Sequence, residues 1–100
     1  MFLVLWEYEV KPGNALEFEN VYGSTGAWAQ LFQRDARYLG TQLTRDIARP
    51  TYYLTLDAWE SRTAYEDFKS AHTIDYVEYD KKCEALAASE KFLGTWEQIP

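Results

Sequence analysis

The first ten residues carry large apolar side chains on both faces of one extended segment, and few folds accommodate that. In Phe2–Val10, alternation puts Phe2, Val4, Trp6, Tyr8 and Val10 on one side. Leu3 and Leu5 begin the other side, which turns polar at Glu7 and Glu9. Period two reads as a strand, and a strand apolar on both sides needs cover on both. Lys11, Pro12 and Gly13 end it.

The rest of the chain supplies the cover. Asn14 reads as a helix cap with Glu17 as its capping-box partner, followed by an apolar stripe of Leu16, Phe18, Val21 and Tyr22. Gly23, Ser24, Thr25 and Gly26 break that helix, and a second piece over 27–34 carries Trp28, Leu31 and Phe32 at helical spacing. Strands are expected over 38–46 and 51–59, joined by a turn at Ala48, Arg49 and Pro50. Residues 51–56 are β-branched, aromatic or leucine throughout. Ser61 caps a helix over 62–70 with Ala64, Tyr65 and Phe68 inward. His72, Tyr76, Tyr79, Cys83 and Leu86 share one stripe of a further helix over 73–89. A last strand is expected over 92–97.

That order is β-α-β-β-α-β, an α+β ferredoxin-like plait with a four-stranded antiparallel sheet and helices on one face. One hundred residues make a single domain, 1–100. The uncovered sheet face still carries large apolar groups, with Tyr52, Leu54 and Leu56 on one side of strand three and Tyr53, Thr55 and Trp59 on the other. A homodimer through stacked sheets is the expected remedy.

Charge and composition exclude several classes. Ten Lys and Arg against 16 Asp and Glu give a net charge of -6, a poor match to a nucleic-acid backbone. Cys83 is the single cysteine, so neither a disulfide framework nor a cysteine metal site is expected. There is no glycine-rich phosphate loop for a nucleotide and no metal-ligand spacing. Glu84, Glu90 and the acidic run at 75–80 read as a solvated helix face. No apolar run approaches the length of a membrane span, and the start lacks a signal-peptide pattern, so the expected compartment is the cytoplasm.

The segment from Tyr53 to Phe68 runs as an apolar strand, then Trp59-Glu60-Ser61, then a helix with Tyr65 and Phe68 three apart. It resembles the strand-to-helix signature of antibiotic biosynthesis monooxygenase-like domains. Tyr38-Leu39-Gly40-Thr41 is similar to a second family step, with Arg37 where a glycine is usual. The resemblance implies the dimeric α+β barrel and a cofactor-independent monooxygenase acting on a small aromatic or quinone-type substrate between sheet and helices. It also leaves open a non-catalytic binding or assembly module on the same scaffold. A heme-binding protein is the third reading. It is weakened because Trp6, Phe68 and Tyr76 stand where the heme-degrading branch has its functional Asn, Trp and His.

Oxygenation without a cofactor needs a base, a stabiliser for the oxyanion and a dry aromatic cavity. Histidine suits a base near neutral pH, and the chain holds one, His72. Asp57 would orient such a base, and Arg45 would hold a substrate anion. The alternative is that Asp57 and Arg45 pair across neighbouring strands. Trp59, Trp6, Tyr65, Phe68, Tyr76 and Trp28 are the expected pocket walls, each also a plausible core residue. Trp6, Tyr8 and Trp96 are expected to form one aromatic wall across the first and last strands.

Overall fold

The computed structural model describes residues 1–100. The elements are β1 (Phe2–Val10), α1 (Ala15–Tyr22), α2 (Ala27–Phe32), β2 (Tyr38–Arg45), β3 (Tyr52–Trp59), α3 (Arg62–Ala71), α4 (Thr73–Cys83) and β4 (Ala87–Glu97). The four strands form one sheet in the order β2-β3-β1-β4, with every neighbouring pair antiparallel. This is the α+β ferredoxin-like arrangement expected from the sequence, with each crossover helix split in two.

The even-numbered face of β1 meets the helices. Val4, Tyr8 and Val10 are buried there beside Tyr53 and Trp59 of β3. Phe18 and Tyr22 of α1, Leu31 and Phe32 of α2, and Phe68 of α3 close the core from the other side. Each such side chain stabilises the fold by roughly 1.5–3 kcal/mol through the apolar area it withdraws from water. The Ser61 side chain accepts from the Ala64 backbone N–H at 3.1 Å and starts α3 as expected. Asn14 does not cap α1: its amide instead donates to the Ala85 carbonyl at 3.5 Å, tying the start of the first helix to the loop before β4.

The fourth strand starts earlier than the sequence suggests. The expected helix over 73–89 ends at Cys83, and β4 begins at Ala87 instead of Phe92. Residues 87–91 have helix-tolerant side chains, yet β1 is nine residues long and pairs along its whole length, from Phe2 with Glu97 to Val10 with Ala87. Ladder hydrogen bonds along the β1 edge left open by β3 override weak local propensity. Leu93 is the extra residue of a bulge between the Leu5–Gly94 and Trp6–Phe92 pairs. Register therefore puts Trp96 opposite Leu3, on the face away from Trp6 and Tyr8, so the three do not form one wall.

The face turned away from the helices is apolar across its middle. Leu3 and Leu5 of β1 pair with Ala58 and Leu56 of β3, and Leu39, Leu93 and Trp96 stand exposed around them.

Candidate functional site

Asp57 sits near the centre of the helix-facing side of the sheet, opposite Val4 of β1 and Thr41 of β2. A carboxyl group on an interior strand loses most of its water. Desolvation pushes its pKa up from 3.8 to about 6, opposed by a hydrogen bond from Thr41. That bond is short, with Thr41 Oγ1 donating to Asp57 Oδ1 at 2.6 Å. Tyr38 also hydrogen-bonds Thr41 Oγ1. The single hydroxyl proton of Thr41 goes to the carboxylate, so the Tyr38 hydroxyl is the donor in the second bond.

A backbone irregularity makes this chain of hydroxyls. Residues three apart on a regular strand point to opposite faces. Between Tyr38 and Gly40 the β2–β3 register shifts by one, leaving Leu39 as the inserted residue. Tyr38 and Thr41 thereby come to the same face. Gly40 sits at φ +135, a conformation that side-chain-bearing residues rarely adopt, so the bulge depends on glycine.

Asp57 opens onto a cavity of about 210 Å³ between sheet and helices. Trp6, Tyr8, Thr41 and Thr55 line its sheet side, and Tyr22, Trp28, Phe32 and Tyr76 line its helix side. Lys69 of α3, Asp80 of α4 and Glu90 of β4 complete it. Burial raises the pKa of Tyr8, Tyr22 and Tyr76, so these phenols stay protonated and remain hydrogen-bond donors. The Trp28 indole Nε1–H is buried with no hydrogen-bond partner, although Tyr22 and Cys83 lie beside it. Trp28 itself is held edge-on by Tyr76 at 5.1 Å and Tyr79 at 5.6 Å.

The family model for antibiotic biosynthesis monooxygenases matches residues 1–78. The chain belongs to that family. No functionally curated protein matches it. Among solved structures it is similar to SnoaB, a cofactor-independent oxygenase from Streptomyces nogalater, with TM-score 0.76 and 18% identity over 99% of this chain and 93% of that one. A Bordetella bronchiseptica protein described as an antibiotic biosynthesis monooxygenase gives TM-score 0.74 and 22% identity, covering 99% of this chain and 97% of that one. A Deinococcus radiodurans protein described in the same way gives TM-score 0.77 and 13% identity, covering 100% and 94%. At such identities the likeness concerns the fold.

In this family member the cavity brings together Asp57, Trp6, Trp28 and Tyr76 from the residues singled out in the sequence. The others lie elsewhere. His72 is at the α3–α4 junction, its ring 4.6 Å from Phe68, outside the lining. Arg45 is on the edge strand, 3.9 Å from Glu19, and does not reach Asp57. The expected cross-strand pair is thus absent, because Arg45 stands opposite Tyr53 while Asp57 stands opposite Thr41. Trp59 is fully buried among Phe32, Tyr38 and Phe68, and Tyr65 packs on Phe2 and Trp59. Thr41, Tyr38, Lys69, Asp80 and Glu90 were not singled out from the sequence as site residues. Only the strand register and the bulge bring the first two to Asp57. The acidic pair was read as a solvated helix face, whereas Glu90 belongs to β4 and both residues border the cavity.

Proposed function

We propose that the protein is a cofactor-independent monooxygenase of a small aromatic or quinone-type substrate, with Asp57 as the general base. The observation that carries this reading is a carboxyl group with its pKa raised to about 6, facing an aromatic-lined cavity. A base that titrates near the working pH combines availability with proton affinity. Asp57 takes a proton from an acidic C–H or O–H of the bound ring. The resulting anion is electron-rich enough to reduce O2 directly. For an aromatic methylene, the carbon is oxidised by four electrons to a carbonyl. One oxygen atom stays on it, and the other leaves as water with the two hydrogens. The protonated Tyr22 and Tyr76 hydroxyls, on residues that line the cavity, are available to stabilise the developing oxyanion. The one imidazole of the chain, on His72, lies outside the lining, so the cavity offers no histidine to a heme iron.

A second copy stacked on the open sheet face belongs to the same reading. It is supported by the leucines of β1 and β3, together with exposed Trp96 and Leu39.

Oxygen uptake with a panel of dihydroxyaromatics and aromatic methylene compounds tests the reaction. Log kcat/KM rises with slope one on the acid side and levels above about pH 6, where Asp57 is ionised. Asp57→Asn lowers kcat by roughly 10²–10⁴-fold. Thr41→Val removes the hydrogen bond that favours the carboxylate, so its acid limb moves to higher pH. Full uptake by Asp57→Asn would remove this residue from the chemistry. No uptake by wild type with any compound would leave a binding module.

A further inference from the structure

The cavity is aromatic inside and acidic at its rim. Asp57 lies on the sheet side, and Asp80 and Glu90 approach from α4 and β4, both exposed to solvent. Lys69 is the one cation in the lining. None of these four side chains is engaged in an ion pair. Three carboxyl groups against one ammonium leave the opening net negative when Asp57 is ionised. The pKa of Glu90 is raised, by burial first and then by Asp80 and Glu84. Asp80 and Glu84 thus place like charge close to Glu90. The walls add a second attraction for cations. Trp6, Trp28 and Tyr76 supply aromatic rings to the lining. The Lys69 Nζ already lies 5.2 Å from the Tyr76 ring centroid and 5.3 Å from that of Tyr65, so the rim holds one ammonium against aromatic rings.

We infer that the cavity selects aromatic molecules bearing an ammonium or other cationic arm and rejects carboxylated ones, with Asp80 and Glu90 as the selecting residues. This inference rests on the reading of the cavity as the substrate site. The aromatic ring enters toward Asp57, and the cationic arm stays at the rim between the two carboxylates. A carboxylated arm in that position would face two like charges at the opening, which is unfavourable and eased by salt.

Three probes of one shape test it: tyramine, para-propylphenol and para-hydroxyphenylpropionate, whose arms end in ammonium, methyl and carboxylate. Calorimetric titration of the intact protein at neutral pH is expected to rank them in that order. Tyramine should exceed the carboxylate by at least about tenfold, which corresponds to one desolvated cation–π contact. The margin shrinks with added salt. It collapses in the Asp80→Asn, Glu90→Gln double variant, whose exposed substitutions are checked for folding by near-UV circular dichroism. A carboxylate that binds as well as tyramine overturns the inference and leaves the oxygenase reading standing. A tyramine preference untouched by the double variant overturns the assignment to Asp80 and Glu90. If Trp6→Ala and Trp28→Ala alter the binding of none of the three, the cavity is not the ligand site and both readings fall.

Discussion

A carboxyl group whose pKa is lifted by burial makes folding stability depend on pH. For Asp57 the folded value of about 6 lies above the ordinary 3.8, so the folded state binds the proton more tightly than the unfolded chain. Its contribution to stability is fully present below about pH 4 and is lost as pH rises through 6. Asp57→Asn keeps an acceptor for Thr41 and never ionises. Relative to wild type, the variant should gain on the order of 2 kcal/mol between pH 4 and pH 8. Urea unfolding of both proteins at the two pH values measures the difference directly. A gap that does not change with pH would mean that the carboxyl is solvated like any surface aspartate. The same residue shows what the sequence could reveal about the site. An aspartate inside an apolar strand is visible by inspection. The hydroxyls that hold it are not, because a one-residue bulge at Leu39 decides that Tyr38 and Thr41 share its face.

Among the elements, the break between α1 and α2 has a steric origin. Gly26 is buried, and a Cβ there would stand 2.3 Å from the Val21 carbonyl oxygen and 2.4 Å from that of Asn20. Those are backbone atoms of the preceding helix, so relief requires the two helical pieces to separate. Gly26→Ala should therefore destabilise the protein by roughly 2 kcal/mol or more, visible as a drop in Tm of about 8 °C or more for a domain of this size. An unchanged Tm would show that the α1–α2 joint yields freely. The order of elements and the first three strands were legible because period-two alternation, Pro-Gly punctuation and the Ser61 cap are local signals. The early start of β4 was not, since residues 87–91 become strand through β1, which is over seventy positions away in sequence. Asn14 misled for the same reason: its amide found a long-range carbonyl at Ala85 in place of its own helix.

At the scale of the whole molecule, the protein exposes more surface than its mass warrants. The accessible area is 6357 Å², against roughly 5,900 Å² expected for a folded monomer of 11.7 kDa. The shape is a slab of 36 × 33 × 21 Å with helices on one broad face and bare sheet on the other. A second copy on that bare face needs to cover about 800 Å² per partner to form a stable dimer, which one side of a four-stranded sheet can provide. Self-association also suits the composition of the face, because its leucines lie centrally on β1 and β3 while Glu7 and Glu9 lie toward one end. Sedimentation equilibrium at micromolar concentration should return twice the chain mass. Leu56→Asp puts a charge beside Leu5 in the middle of the face and should yield monomers with unchanged far-UV circular dichroism. Trp96→Lys, at a site already exposed, should weaken the dimer without endangering the fold. A wild-type chain that sediments alone at these concentrations would show that water tolerates this sheet face bare. The stacked pair would then have to be abandoned, while the Asp57 cavity, enclosed within one chain, would stand unaffected.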